Sequence, residues 1–257
     1  MDPTLIRVTP APPALDERPV PRRIGLVTLA TDHTSERDFA RMVPPDEAGV
    51  YVARVAYANP TTPANLRRMR PRLAAAAGLI LPDEPLDALC YSCTSASVAI
   101  GDEAVEAALQ AGKPGVPVVT PPAAARAAFR ALGVRRISLL TPYTRETTAP
   151  MADYFAGHGY ELRSVTCFGL KDDRVMARVR PEAIAAAAGA AMASDAEALF
   201  IACTALRAAE VAERVEAAIG RPVVTSNQAG VWRCLRLAGI DRPLAGHGRL
   251  LRLRAGE

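Results

Sequence analysis

The sequence lacks most of the features that would assign it to a cofactor-dependent, metal-dependent or membrane class. No stretch approaches the roughly 18 to 20 continuous apolar residues that a membrane-crossing helix needs, so no membrane partner is expected. No G-x-G-x-x-G follows the first apolar run and no G-x-x-x-x-G-K-[ST] occurs, which leaves nucleotide cofactors without a motif. The three histidines, His33, His158 and His247, show no metal spacing, and no metal or other cofactor is expected. Aromatics make up 5% of the chain, so base-stacking platforms are scarce. Arg67, Arg68, Arg70 and Arg72 cluster in a proline-broken helix start without interleaved Tyr or Phe, and no nucleic-acid partner is expected. Five cysteines, an odd number, do not make a disulfide framework and point to a reducing, cytoplasmic setting. Residues 1–21 lack the apolar core of a signal peptide and carry Pro3, Pro10, Pro12, Pro13, Pro19 and Pro21; an extended arm is expected there.

What is present is a pattern written twice. Leu86 to Gly101 runs from an apolar segment through Cys93-Thr94-Ser95 into an alanine-rich helical pattern, and Ala196 to Glu210 repeats this around Cys203-Thr204. Upstream, Arg23 to Thr28 is answered by Arg136 to Thr141; downstream, Pro117 to Thr120 is answered by Pro222 to Thr225. The offsets are 113 for Ile24 to Ile137, 110 for Cys93 to Cys203 and 105 for Val118 to Val223, a drift that loop-length differences accommodate. Two related α/β halves are expected.

In order, strands are predicted over 24–30, 50–58, 86–91 and 116–120, with helices over 63–79 (broken at Pro71) and 97–111. The second half opens with a helix over 123–132 and reads as strands over 137–140, 161–168, 199–202 and 223–224, with further helices over 147–156, from Pro181 onward, 206–219 and 229–237. Strands alternating with helices predict a parallel sheet in each half. The expected division is an arm over 1–21, a first half over 22–120 completed by 226–257, and a second half over 121–225.

Cys93 and Cys203 stand at equivalent strand ends, where free backbone N–H groups and a helix dipole favour anions and thiolates. Each is expected to have a lowered pKa, and a pseudo-two-fold arrangement would point both into one cleft. Cys90, Cys167 and Cys234 read as inert core residues. One thiolate and one thiol on either side of a substrate can move a proton across a carbon, or the thiolate can add to an activated double bond. The flanking hydroxyls of Thr94 and Thr204, with the strand-end N–H groups, would hold a carboxylate; Thr141, Tyr143 and Thr144 are further donors. The loop Thr31 to Phe39 reads either as a site wall or as ordinary helix capping by Asp32, Thr34 or Ser35.

The two Cys-Thr elements, Thr141-Pro142-Tyr143 and Ser226-Asn227-Gln228 with Trp232 and Leu235 following resemble the aspartate/glutamate racemase superfamily. Within it they are closest to the group of maleate cis-trans isomerases, arylmalonate decarboxylases and ectoine-utilisation racemase-like proteins, over Arg22 to about Ile240. The resemblance implies two flavodoxin-like domains, an active site between them and no cofactor. It implies Cys93 as nucleophile or first acid-base group and Cys203 as the second. Thr94 and Ser95 become carboxylate or oxyanion contacts, Tyr143 a hydroxyl donor, and Thr204, Ser226 and Asn227 substrate contacts. Two cysteines speak against the decarboxylase type. Asp32, and the loop Lys171-Asp172-Asp173-Arg174, stand where the maleate isomerases usually carry amides. A carboxylate beside a dianion is repulsive, so Asp32 suits a substrate with an ammonium or amide N–H. The stretches Thr31 to Phe39 and Asn59 to Pro63 resemble the ectoine-utilisation branch. The expected function is racemisation or isomerisation of a small amino-acid-like carboxylate, with maleate isomerisation next, and a decarboxylase or a non-catalytic relative after that. A homo-oligomer is expected.

Overall fold

The computed structural model describes residues 3–254. Among the described residues, eight strands form two parallel sheets. The first contains β1 (Arg22–Leu29), β2 (Ala48–Val55), β3 (Ala88–Ser92) and β4 (Val118–Val119) in the order β2-β1-β3-β4. The second contains β5 (Arg136–Tyr143), β6 (Glu161–Leu170), β7 (Ala198–Ile201) and β8 (Val223–Thr225) in the order β6-β5-β7-β8. The halves share one topology strand for strand, as the repeated pattern predicts.

The helices are α1 (Ser35–Met42), α2 (Pro63–Arg67), α3 (Leu73–Gly78), α4 (Thr94–Ile100), α5 (Asp102–Gln110) and α6 (Pro121–Ala131). They continue with α7 (Arg145–Gly157), α8 (Asp173–Met176), α9 (Pro181–Ala191), α10 (Ala212–Ile219) and α11 (Ser226–Leu237). The helix predicted over 97–111 is two helices, because Gly101 takes φ +96 and breaks the run. That predicted over 206–219 starts only at Ala212; residues 204–211 are turns. The loop after β6, predicted to be irregular, contains α8.

Central strands bury both faces, which is why they read as continuous apolar runs. Alternation along β1 sends Ile24 and Leu26 into a core shared with the second sheet, while Val27 and Leu29 enter a separate core with Leu66, Leu73 and Tyr91. The shared core contains an aromatic group from the second half, in which Phe129 of α6 meets Phe155, Tyr160 and Phe200 edge-on or tilted. Helices α6 and α11, each following the last strand of a sheet, pack against one another, and α11 also packs on α1 and β3. Within each sheet the first and third strands are neighbours, with Thr28 beside Ser92 and Leu140 beside Ile201. The connections leave these strand pairs in opposite directions, opening a crevice at their carboxyl ends. No helix is long and apolar enough to cross a membrane among the described residues.

Candidate active site

The carboxyl ends of β1, β3, β5 and β7 deliver Asp32, Cys93, Tyr143 and Cys203 to one small cavity. Its walls also carry Leu29, Tyr57, Thr61, Leu66, Ser95, Asp173, Met176, Thr204 and Ala205. The enclosed volume is about 20 Å³, room for about one water, so a larger ligand requires the walls to part. Among the described residues the lining contains no Lys, Arg or His.

Cys93 caps the amino end of α4 in extended conformation, φ −153 and ψ 103. Its sulfur lies 3.9 Å from Ser95 Oγ and faces the Ala96 N–H. Cys203 has the opposite backbone: φ is +97, a left-handed conformation that costs a non-glycine residue on the order of 1–3 kcal/mol. That turn aims the N–H groups of Ala205 and Leu206 at the sulfur, and the Tyr143 hydroxyl supports it from β5. The Cys203 N–H donates to Ser226 Oγ at 3.0 Å.

The expected low thiol pKa values are overturned. Burial, the largest effect at each cysteine, pushes Cys93 up to about 12 and Cys203 up to about 11, with the nearby Asp173 carboxylate adding to both. The N–H donors at each sulfur pull the other way but do not offset the loss of water. Cys90 and Cys234 are buried core residues, as expected, whereas Cys167 is half-buried on the outer face of β6.

Three of the expected contacts stand behind the cavity instead of on its wall. Thr94 Oγ1 donates to Ser226 Oγ at 2.8 Å, so these hydroxyls satisfy each other and the Cys203 backbone. Asn227 Nδ2 donates to Asp38 Oδ2 at 2.7 Å and to Thr204 O at 3.0 Å; burial pushes Asp38 up to about 7. Thr204 does line the cavity, with its hydroxyl donating to Ser92 O at 3.1 Å across the halves.

Asp32 also lines the cavity, but its carboxylate is engaged in starting α1. Oδ1 accepts from the N–H groups of Thr34 and Ser35 at 2.9 and 2.8 Å, and Oδ2 accepts from Ser35 Oγ at 2.9 Å. Burial raises its pKa. Capping accounts for the Asp32 conformation, and with a single hydrogen bond on Oδ2 the carboxylate retains acceptor capacity beside the cavity.

Sequence reasoning missed Tyr57 as a wall residue, and it read Thr61 and Asp173 only as members of the Asn59–Pro63 and Lys171–Arg174 stretches. Asp173 accepts from Asn59 Nδ2 at 2.6 Å and from the Thr31 hydroxyl, while its N–H donates to Asn59 Oδ1 at 3.1 Å. Tyr57 OH donates to Thr61 Oγ1 at 2.8 Å. Thr61 N–H donates to Lys171 O at 2.7 Å, and Thr147 Oγ1 donates to Thr61 O at 2.8 Å. The legible signal was positional: Tyr57 follows the end of β2 and Asp173 follows β6, ends that open onto the same crevice as the cysteines.

Two thiols from different sheets, hydroxyls on the wall and N–H donors aimed at sulfur can carry out addition to a double bond or proton exchange at carbon. Comparison with known proteins narrows the field. The arylmalonate decarboxylase family model matches residues 75–251. Maleate isomerase from Nocardia farcinica is 26% identical over 244 residues, covering 90% of this chain and 96% of that protein. Arylmalonate decarboxylase from Bordetella bronchiseptica is 32% identical over 139 residues, which span 53% of this chain and 58% of that protein. A solved cysteine-to-serine variant of Nocardia farcinica maleate cis-trans isomerase, with a covalently bound succinylcysteine intermediate, superposes with a TM-score of 0.82 at 25% identity. It covers 90% of this chain and 98% of that chain. The shared fold and the family match over most of the chain agree: this protein belongs to the arylmalonate decarboxylase family, within the Asp/Glu racemase-like group that also holds the maleate isomerases.

Proposed function

We propose that the protein is a cofactor-independent isomerase that converts a small cis-unsaturated dicarboxylate of the maleate type to its trans isomer through Cys93 and Cys203. The observation that carries this reading is the placement of both thiols, one from each sheet, on a single small cavity. The likeness to maleate isomerases over nine-tenths of the chain supports it, and supports it better than the amino-acid racemase expected from the resemblance to the ectoine-utilisation branch.

The chemistry balances with one proton shared by the two sulfurs. Cys203 has the larger set of donors, so the negative charge rests there first. It takes the proton of Cys93, and the Cys93 sulfur forms a C–S bond to one carbon of the double bond. The displaced electron pair moves toward the adjacent carboxylate, and the Cys203 thiol gives its proton to the second carbon. The former double bond is now single and rotates. Cys203 then removes a proton from that carbon, the C–S bond breaks, and Cys93 leaves as thiolate. Ser95 and Tyr143 hydroxyls with the loop N–H groups hold the carboxylate where charge accumulates. Thr94, Ser226 and Asn227 act by positioning the two cysteine loops.

The test is proton NMR of the protein with maleate in deuterated buffer, with aspartate, N-acetyl-diaminobutyrate and an arylmalonate in parallel. Fumarate appearing from maleate supports the reading. Loss of an α-proton from an amino-acid-like compound, with no fumarate, replaces it by the racemase reading, which the two carboxylates on the cavity wall, Asp32 and Asp173, favour. Carbon dioxide released from the arylmalonate would mean decarboxylation instead.

A further inference from the structure

Outside the cavity lies a cleft of about 390 Å³ lined by His33, Thr34, Arg37, Ala177, Arg178, Arg180 and Arg207. Three of its walls continue those of the cavity. Thr34 follows Asp32 on the β1–α1 loop, Ala177 follows Met176 at the end of α8, and Arg207 follows Ala205 on the cysteine loop. Between the two linings Thr34 Oγ1 donates to Ala205 O at 2.8 Å. Four arginines therefore stand outside a cavity whose own lining includes two carboxylates and no cation.

The arginines are unevenly matched with acids. Arg37 pairs with Glu210 at 3.1 Å. Arg207 is half-buried and held by Nη2 donating to Val179 O at 2.9 Å, while its Nε is buried without a hydrogen-bond partner. Arg178 and Arg180 are exposed and, among the described residues, form no ion pair. Unpaired guanidinium groups on neighbouring walls of a concave surface match a carboxylate's geometry and concentrate anions locally.

We propose that this cleft is a carboxylate-docking vestibule. The anionic substrate is captured there by Arg178, Arg180 and Arg207 before the Thr34–Ala205 contact parts and admits it to the cysteines. The proposal rests on the reading that the substrate is a small dicarboxylate, and explains how a dianion reaches a cavity that offers it no positive charge. The vestibule supplies the attraction and the cavity supplies only neutral donors, so affinity is gained outside and chemistry is done inside.

The double variant Arg178→Gln/Arg180→Gln tests this, since both side chains are exposed and their loss leaves the core intact. Its KM for maleate is expected to rise on the order of fivefold, with a weaker dependence of kcat/KM on salt than in the parent. An unchanged KM and salt dependence overturns the vestibule. Calorimetric titration with inorganic sulfate separates this from the proposed function, because it needs no turnover. Sulfate binding that the double variant loses supports the vestibule even where maleate is not converted. Sulfate that binds both proteins equally, or neither, overturns it.

Discussion

The two cysteine loops begin from the same sequence and end in different backbones. After Cys93 the chain turns directly into α4, and the sulfur faces one helix N–H and a serine hydroxyl. After Cys203 the chain runs through turns before α10, the cysteine itself is left-handed, and its sulfur faces two N–H groups and a tyrosine. Both cysteines are buried, which by itself disfavours both thiolates. The difference in donors decides which of them holds charge more easily. A duplicated motif thus yields an asymmetric pair, which the proposed mechanism uses with Cys203 carrying the proton and Cys93 attacking.

Removing each sulfur should break the comparison most. Cys93→Ala and Cys203→Ser are each expected to lower kcat by about 10³-fold or more. In Cys203→Ser, mass spectrometry is expected to find a slowly formed, long-lived substrate adduct on Cys93, because loss of the Cys203 thiol slows both the activation of Cys93 and the removal of the carbon proton that releases it. An adduct on any other cysteine would reverse the assigned roles.

Tyr143→Phe removes a donor from one sulfur only. Activity should fall about 10- to 100-fold, and the Cys203 pKa should rise further while that of Cys93 stays in place. Site-resolved alkylation across pH reads both values. In the parent protein alkylation of both thiols should be slow at pH 7 to 8, since burial keeps them protonated until pH nears their raised values. The rate should climb about tenfold per pH unit below those values, and kcat/KM should climb with it. Half-buried Cys167 is expected to label first at neutral pH.

Asp173→Asn sharpens the comparison from the substrate side. The amide keeps an acceptor for Asn59 and removes a like charge that raises both thiols. The KM for maleate should fall about fivefold; a rise would show that the carboxylate holds a donor group of the true substrate.

The smallest effect concerns backbone alone. Cys203→Gly should be more stable to thermal unfolding than Cys203→Ala by about 1 kcal/mol, because glycine accepts φ +97 without strain. At position 93, extended and non-strained, alanine should be the more stable replacement.

Much of this was legible in the residues. Apolar runs at matching offsets predicted two parallel sheets, since a strand covered on both faces has to be apolar throughout. The strand ends placed Cys93, Cys203, Tyr143 and Asp32 at one level, because parallel strands open their carboxyl ends to the same side. Residues whose role depends on distant neighbours were not legible. Ser226 and Asn227 carry polar groups suited to substrate, and only their contacts with Thr94 and Asp38 turn them away from the cavity. Asp173 looked like one of several loop charges until Asn59 and Thr31 were seen to hold it on the wall.

The sequence by itself determined the duplicated α/β frame and the pairing of two thiols, because periodicity and motif spacing act locally and repeat. Tertiary structure decided the protonation of those thiols, the left-handed turn at Cys203 and the acidic interior behind an arginine-lined mouth. Each of these depends on burial and on approaches between distant segments, 142 residues apart for Thr31 and Asp173 and 171 for Thr34 and Ala205, and desolvation is a property of the folded whole that no single stretch encodes.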